Sequence, residues 1–138
     1  MKQLNRIVLV NWYVLGAIEI PIKGSVAIVG PNGSGKSSLL DAIQTVLMGG
    51  HKRHLSFNAS AGDKSERSLR TYCLGFLDGD GKKSTAREDS LSYMALSFFD
   101  TETAQETCVG IAISASTASP DEEILGRFIL PNFSVHLD

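Results

Sequence analysis

The segment Gly30-Pro31-Asn32-Gly33-Ser34-Gly35-Lys36-Ser37 constrains this chain more than any other. It fits the pattern G-x-x-x-x-G-K-[ST], and its glycines let the backbone take φ > 0 and approach a ligand closely. The flanks suit the pattern. Ser25–Val29 is a short apolar, partly β-branched run that reads as a buried strand. Beyond the loop, Leu39, Leu40, Ile43, Val46 and Leu47 recur at helical spacing, and Gly49-Gly50 supplies a stop. Strand, glycine loop and helix form the context in which such a pattern carries chemical meaning. Successive N–H groups then converge on an anion, aided by the partial positive charge at the helix N-terminus. Lys36 is placed to reach β- and γ-phosphates, and the Ser37 hydroxyl to ligate Mg²⁺. The expected phosphate cradle is Gly30, Pro31, Asn32, Gly33, Ser34, Gly35, Lys36, Ser37 and Ser38.

At 138 residues the chain has room for one modest domain. A complete doubly wound nucleotide-binding domain usually needs more, given its five or so strands and crossover helices. No 18-residue apolar run is present, so no membrane span is expected. Met1–Arg6 lacks the apolar core and cleavage site of a secretory signal, which makes a cytoplasmic location the expectation. Cys73 and Cys108 match no metal or redox spacing and read as buried, reduced thiols. The net charge of −2 is unevenly spread. Residues 50–90 carry eight basic groups against six acidic, whereas residues 91–138 carry only Arg127 against seven acidic. The basic middle could meet a polyanion, but an excess of two favours an ordinary solvated surface.

Leu4–Val10 and Ala17–Ile22 read as paired strands joined by an apolar-aromatic connection, Asn11–Gly16. Residues 51–70 are polar and read as a loop with a short helix near Ser65–Arg70. From there the period changes to two. Thr71–Leu77, Leu91–Phe99 and Cys108–Ala115 look like strands, with Arg127–Leu130 and Phe133–Leu137 as weaker ones. Met94, Leu96 and Phe98 share one strand face, and Val109, Ile111 and Ile113 another. Asp78–Gly81 and Thr101–Thr107 are turn segments. The expected fold class is α/β with α+β character: a phosphate-loop fold continued by an antiparallel meander rather than a βαβ series.

Hydrolysis needs a second acidic motif, an apolar strand ending in Asp, to hold Mg²⁺ and polarise water. Cys73–Asp78 and Leu96–Asp100 imitate it, but each alternates and runs into a turn, so Asp78 and Asp100 read as hairpin residues. Asp121-Glu122-Glu123 follows Ser119-Pro120 rather than an apolar run, and reads as a loop or helix start. Asp78-x-x-Gly81 lacks a following N-K-x-D. Gln44 and Gln105 are poor choices for a magnesium-side glutamine. The chain holds half an active site, so the expectation is a piece of a longer polypeptide, inactive alone.

Asn32–Ile43 resembles the phosphate loop and helix of SMC, RecF and SbcC-type ATPases, in which a long coiled coil separates an N-terminal half-head from its C-terminal half. The stretch Leu47–Leu77, with His51–Leu55, Asn58–Ala61 and Lys64–Ser68, looks like the SMC-like ATPase of Wadjet (JetC-type) plasmid-defence condensins, related to MukB and MksB. The resemblance implies residues 1–138 as the N-terminal lobe of an ABC-type head, with ATP and Mg²⁺ as cofactors. Its implied partners are a C-terminal half-head, a second head in a homodimer, DNA, and kleisin-like and accessory condensin subunits. It also implies a nucleoid-associated location. Arg53 then sits where such heads often place a phosphate-sensing or DNA-contacting arginine, and Trp12-Tyr13 lie in the loop near the nucleotide or in the core. Two other readings stand beside it: a self-contained phosphotransferase or GTPase using Asp78 or Asp100, and a non-catalytic DNA-binding module using Lys52–Arg70.

Overall fold

The computed structural model of the chain describes residues 1–31, 33–57, 67–79 and 82–138. Strands β1 (Lys2–Trp12) and β2 (Leu15–Pro21) form the expected antiparallel hairpin. Its turn requires left-handed φ values of 53° at Asn11 and 54° at Tyr13. Asn tolerates that region but an aromatic residue pays a steric cost there, so the turn needs outside support. Tyr13 N donates to Tyr72 O at 2.7 Å, and the Arg87 guanidinium donates to Tyr13 O at 2.8 Å and Leu15 O at 2.7 Å.

The chain continues through helix α1 (Lys36–Leu47), a single 3-10 turn (Lys52–His54), helix α2 (Leu69–Leu74) and a short hairpin of β3 (Phe76–Gly79) and β4 (Lys82–Thr85). Three long strands follow: β5 (Asp89–Asp100), β6 (Gln105–Ser116) and β7 (Glu123–Pro131). The main sheet has the order β2-β1-β5-β6-β7, and every neighbouring pair is antiparallel. The first hairpin therefore joins the meander through β1–β5.

Period-two alternation sorts the side chains cleanly. Ile7, Leu9, Met94, Leu96, Ile111 and Ile113 point to the inner face, where Ala42 and Val46 of α1 and Leu69, Tyr72 and Leu74 of α2 cover them. On the outer face a smaller cluster of Val8, Ala95 and Cys108 is covered by Phe128, Leu130, Val135 and Leu137. Both cysteines are free and buried, as their apolar settings predicted. Burial pushes the Cys73 thiol up to about 11, which leaves it unreactive.

Several expectations are corrected. Thr71–Leu77 is not a strand. Ser68 caps a helix, its side chain accepting from Thr71 N while the Thr71 hydroxyl takes up Ser68 N–H, and Gly75 ends it at φ 69°. This reciprocal cap outweighs the β-propensity of Thr71, Tyr72 and Cys73. The helix expected near Ser65–Arg70 falls partly outside the described residues and begins at Leu69. Phe133–Leu137 forms no strand. It leaves β7 after Asn132 (φ 55°) and packs across the outer face, tied by Glu19, which accepts from Leu137 N at 3.1 Å and contacts His136 Nδ1 at 2.8 Å. Glu123 opens β7 instead of ending a loop, and Gln105 opens β6.

The largest correction concerns Ser25–Val29, which is not a buried strand. It makes no backbone hydrogen bond to any described residue, and Val26, Ile28 and Val29 are 59%, 42% and 86% exposed. A run buried on both faces needs neighbours on both sides, and no described strand provides one.

Gly75 joins α2 to β3 where an added Cβ would stand 2.5 Å from Tyr13 O and 2.9 Å from Ala86 Cβ, at a φ that side chains rarely adopt. Gly75→Ala should destabilise the fold by about 2 kcal/mol or more, read as a lower urea midpoint at unchanged slope.

Candidate phosphate-binding site

The loop before α1 is built by its glycines. Gly33 and Gly35 take φ values of 84° and 94°, and Gly35 serves as the helix N-cap. A Cβ at Gly30 would meet Ser34 Oγ at 2.6 Å. Ser34 N donates to Pro31 O at 3.2 Å, which closes the bend. Asn32 lies outside the described residues. Ser34 and Ser37 are exposed, and Gly35 and Lys36 are half-buried. Ser38 is buried, and its hydroxyl donates to Gly35 O at 2.7 Å, so it braces the loop from within.

Lys36 folds back over the loop, its ammonium donating to Gly30 O and, at 2.9 Å, to Pro31 O. The cation thus sits over the bend with glycine backbone around it and the exposed Ser37 hydroxyl one residue away. That donor set fits a magnesium-bound polyphosphate: a point charge for phosphate oxygens and a hydroxyl for the metal. Among the described residues no cluster of three or more His, Cys, Asp or Glu side chains could hold a metal by itself.

What anchors α1 was not legible in the apolar spacing. The buried stripe is Ser38, Asp41, Ala42, Thr45 and Val46, whereas Leu40 and Leu47 are exposed. The Trp12 indole Nε1 donates to Ser38 O at 2.8 Å, the Trp12 ring stacks on Tyr72 at 4.5 Å, and the Tyr72 hydroxyl donates to Asp41 Oδ2. The ambiguity over Trp12-Tyr13 is thereby resolved in favour of a packing role for Trp12, which is fully buried. Asp41 and Tyr72 were missed. The one signal for Asp41 was a carboxylate inside the run Leu39–Ile43.

The other candidates are dispersed. Asp100 sits opposite Lys2 in the sheet register, while Trp12 at the far end of β1 touches Ser38, so roughly 30 Å of strand separates them. Its carboxylate accepts Glu102 N at 2.9 Å and lies 3.5 Å from the N-terminal ammonium; the Glu102 amide is the main reason its pKa is lowered. This is the turn role expected of it. Asp78 pairs with Lys83 in the register of the β3–β4 hairpin, and residues 80 and 81 lie outside the described residues. Gln44 Oε1 accepts Ser56 N at 3.3 Å. Arg53 is exposed in the turn after α1, which is itself about 18 Å long, with no bonded partner among the described residues.

Part of the basic middle is engaged by the protein itself. Lys52 pairs with Glu122 at 3.2 Å and Asp121 at 3.5 Å, and Arg70 donates to Ser119 O and Ser116 O. Lys64 lies outside the described residues. No helix among the described residues is long and apolar enough to cross a membrane.

Comparison with known families agrees with the loop. Residues 4–64 match the family model of the P-loop containing region of an AAA domain, a stretch shorter than half the chain that runs from β1 through α1. The chain therefore carries a P-loop NTPase region, which points to nucleotide binding. The match stops before α2 and the meander. No curated protein matches the chain significantly.

Burial raises the Asp41 pKa, only partly offset by the Tyr72 hydroxyl. A raised acid means the native state binds the proton more tightly, so its contribution to stability falls as pH climbs from the unfolded value, about 4, through the raised one. The difference between thermal melts of wild type and Asp41→Asn should show that decline over this window, because the lowered carboxylates Glu19, Asp100 and Glu106 act in the opposite sense in both proteins.

Proposed function

We propose that this chain is the phosphate-loop-bearing N-terminal lobe of an SMC-like ATPase head, binding Mg-ATP through Gly30–Ser38 and cleaving it only when a second lobe is present. The observation that carries the reading is the bare run Ser25–Val29 leading into the loop, ahead of a helix whose far side carries exposed leucines. One face of α1 is satisfied by the antiparallel sheet; the other leaves Leu40, Leu47 and Met48 exposed. A self-contained phosphate-binding domain buries its loop-feeding strand and both sides of the following helix. Here a backbone edge with no partner among the described residues, together with the exposed leucines, suits strands from another lobe, since an open edge and an apolar face both template pairing.

The hairpin preceding the loop and the run Asn32–Ile43 support the SMC, RecF and SbcC class within P-loop proteins. A second head, DNA, kleisin-like and accessory subunits, a nucleoid-associated location and a place in plasmid defence rest on the resemblance alone. The same holds for Arg53 as a phosphate or DNA contact. The self-contained phosphotransferase or GTPase is disfavoured in its Asp100 form, because Asp100 ends β5 opposite Lys2, at the far end of β1 from the loop. The DNA-binding module is weakened by the pairing of Lys52 and Arg70 with the protein itself.

The protein has one tryptophan, and Trp12 bonds to Ser38 within the first turn of α1, so its emission should report ligand binding at the loop. Titration with Mg-ATP should change Trp12 fluorescence saturably, and Lys36→Ala should weaken binding by about 10–100-fold. Turnover should be absent from the 138-residue chain and appear on adding the cognate C-terminal lobe. Steady hydrolysis by the chain alone, or an unchanged affinity in Lys36→Ala, would sink the proposal.

A further inference from the structure

Asp41 is 6% exposed on the inner side of α1, one turn beyond Ser37, and phosphate binding has no use for it. Its Oδ2 accepts from the Tyr72 hydroxyl, and the Thr45 hydroxyl donates to its backbone carbonyl at 2.7 Å. The Tyr72 ring lies nearly parallel to that of Trp12, with centroids 4.5 Å apart and planes at 16°. Phe57 closes on Tyr72 edge-on at 5.3 Å, and Tyr13 does so at 6.1 Å. Trp12 in turn donates to Ser38 O. Two stacked rings, one from the first hairpin and one from α2, therefore grip α1 at Ser38 and again at Asp41.

Apolar contacts alone hold a helix against a sheet but let it roll, because dispersion and burial are non-directional. A hydrogen bond to a buried carboxylate and another to a helix carbonyl resist rolling, since either group left unpaired is penalised. Ser38 immediately follows Ser37, so any roll of the first turn moves Lys36 and Ser37 together.

We infer that Asp41, Tyr72 and Trp12 act as positioning residues for the phosphate loop, fixing the rotation of the first turn of α1 so that Lys36 and Ser37 face the bound triphosphate. The inference rests on the nucleotide-binding reading for its ligand, but not for its effect on the helix. Through Tyr72 the same contacts give α2 a direct hold on the first turns of α1.

Two variants and two readouts test it. Tyr72→Phe keeps the ring stack and removes the hydroxyl, whereas Asp41→Asn keeps an oxygen able to accept from Tyr72. Calorimetric titration with Mg-ATP should show about a tenfold loss of affinity in Tyr72→Phe and a near-wild-type value in Asp41→Asn. Amide hydrogen exchange at Leu39 and Leu40 should quicken in Tyr72→Phe with little change in β5 and β6. Wild-type affinity together with unchanged exchange in Tyr72→Phe overturns the inference. So does a uniform quickening across the sheet, which marks general destabilisation. Should Tyr72→Phe fail to fold, Asp41→Leu, which removes the acceptor while filling the space, is read in the same way. Should wild type itself not take up Mg-ATP, the nucleotide reading falls, and the exchange pattern alone decides whether the rings fix α1.

Discussion

The hydrogen bond from the Trp12 indole to the Ser38 carbonyl, made where no water reaches, joins the two parts of this molecule that the sequence keeps apart. One part is the antiparallel sheet, whose register follows from period-two burial along β1, β5 and β6. The other is the glycine loop and α1, which the sheet would otherwise touch only through Ala42, Val46 and a few neighbours. Trp12 ends β1 and is followed by the left-handed Tyr13, so the strand must stop where its ring can turn inward onto Tyr72. Arg87 then ties the turn down through the carbonyls of Tyr13 and Leu15. The hairpin, the helix and α2 meet at this one aromatic contact.

Away from it the two layers differ in completeness. The sheet finds cover for its inner face in the helices and, around Val8, Ala95 and Cys108, for its outer face in the segment that follows β7, while Leu91, Tyr93 and Phe99 stay exposed. The region around the loop finds no such cover among the described residues. An apolar run with no ladder partner among the described residues, followed by a helix whose Leu40 and Leu47 are exposed, leaves a surface open to further strands. That surface supports the two-lobe proposal more directly than the missing acidic motif does, because the missing motif alone fits many smaller proteins.

Much of this was legible in the residues. The loop, α1 and the strands β1, β2, β5 and β6 follow from glycine placement and from periodicities carried by Leu, Ile and Val. The rest was hidden for identifiable reasons. Thr71-Tyr72-Cys73 favours a strand by local preference, and only the reciprocal cap between Ser68 and Thr71 tips it to a helix. Ser25–Val29 has the composition of a central strand, but composition cannot say whether the neighbours it needs lie in the same lobe. The polar stripe of α1 escaped because Asp41, Thr45 and Ser38 are buried through bonds to distant partners or to the helix itself. Arg87 gave no signal at all, since every group it holds is a backbone carbonyl.

The folded-back lysine has a consequence for selectivity. The Lys36 ammonium has two oxygen partners in the protein itself, so an anion that reaches it must offer more than Gly30 and Pro31 do. A singly charged ion competes poorly with two well-placed carbonyl dipoles, whereas a chain of phosphates carrying several charges competes well. The two carbonyls thereby set the strength that any anion reaching the Lys36 ammonium would have to exceed.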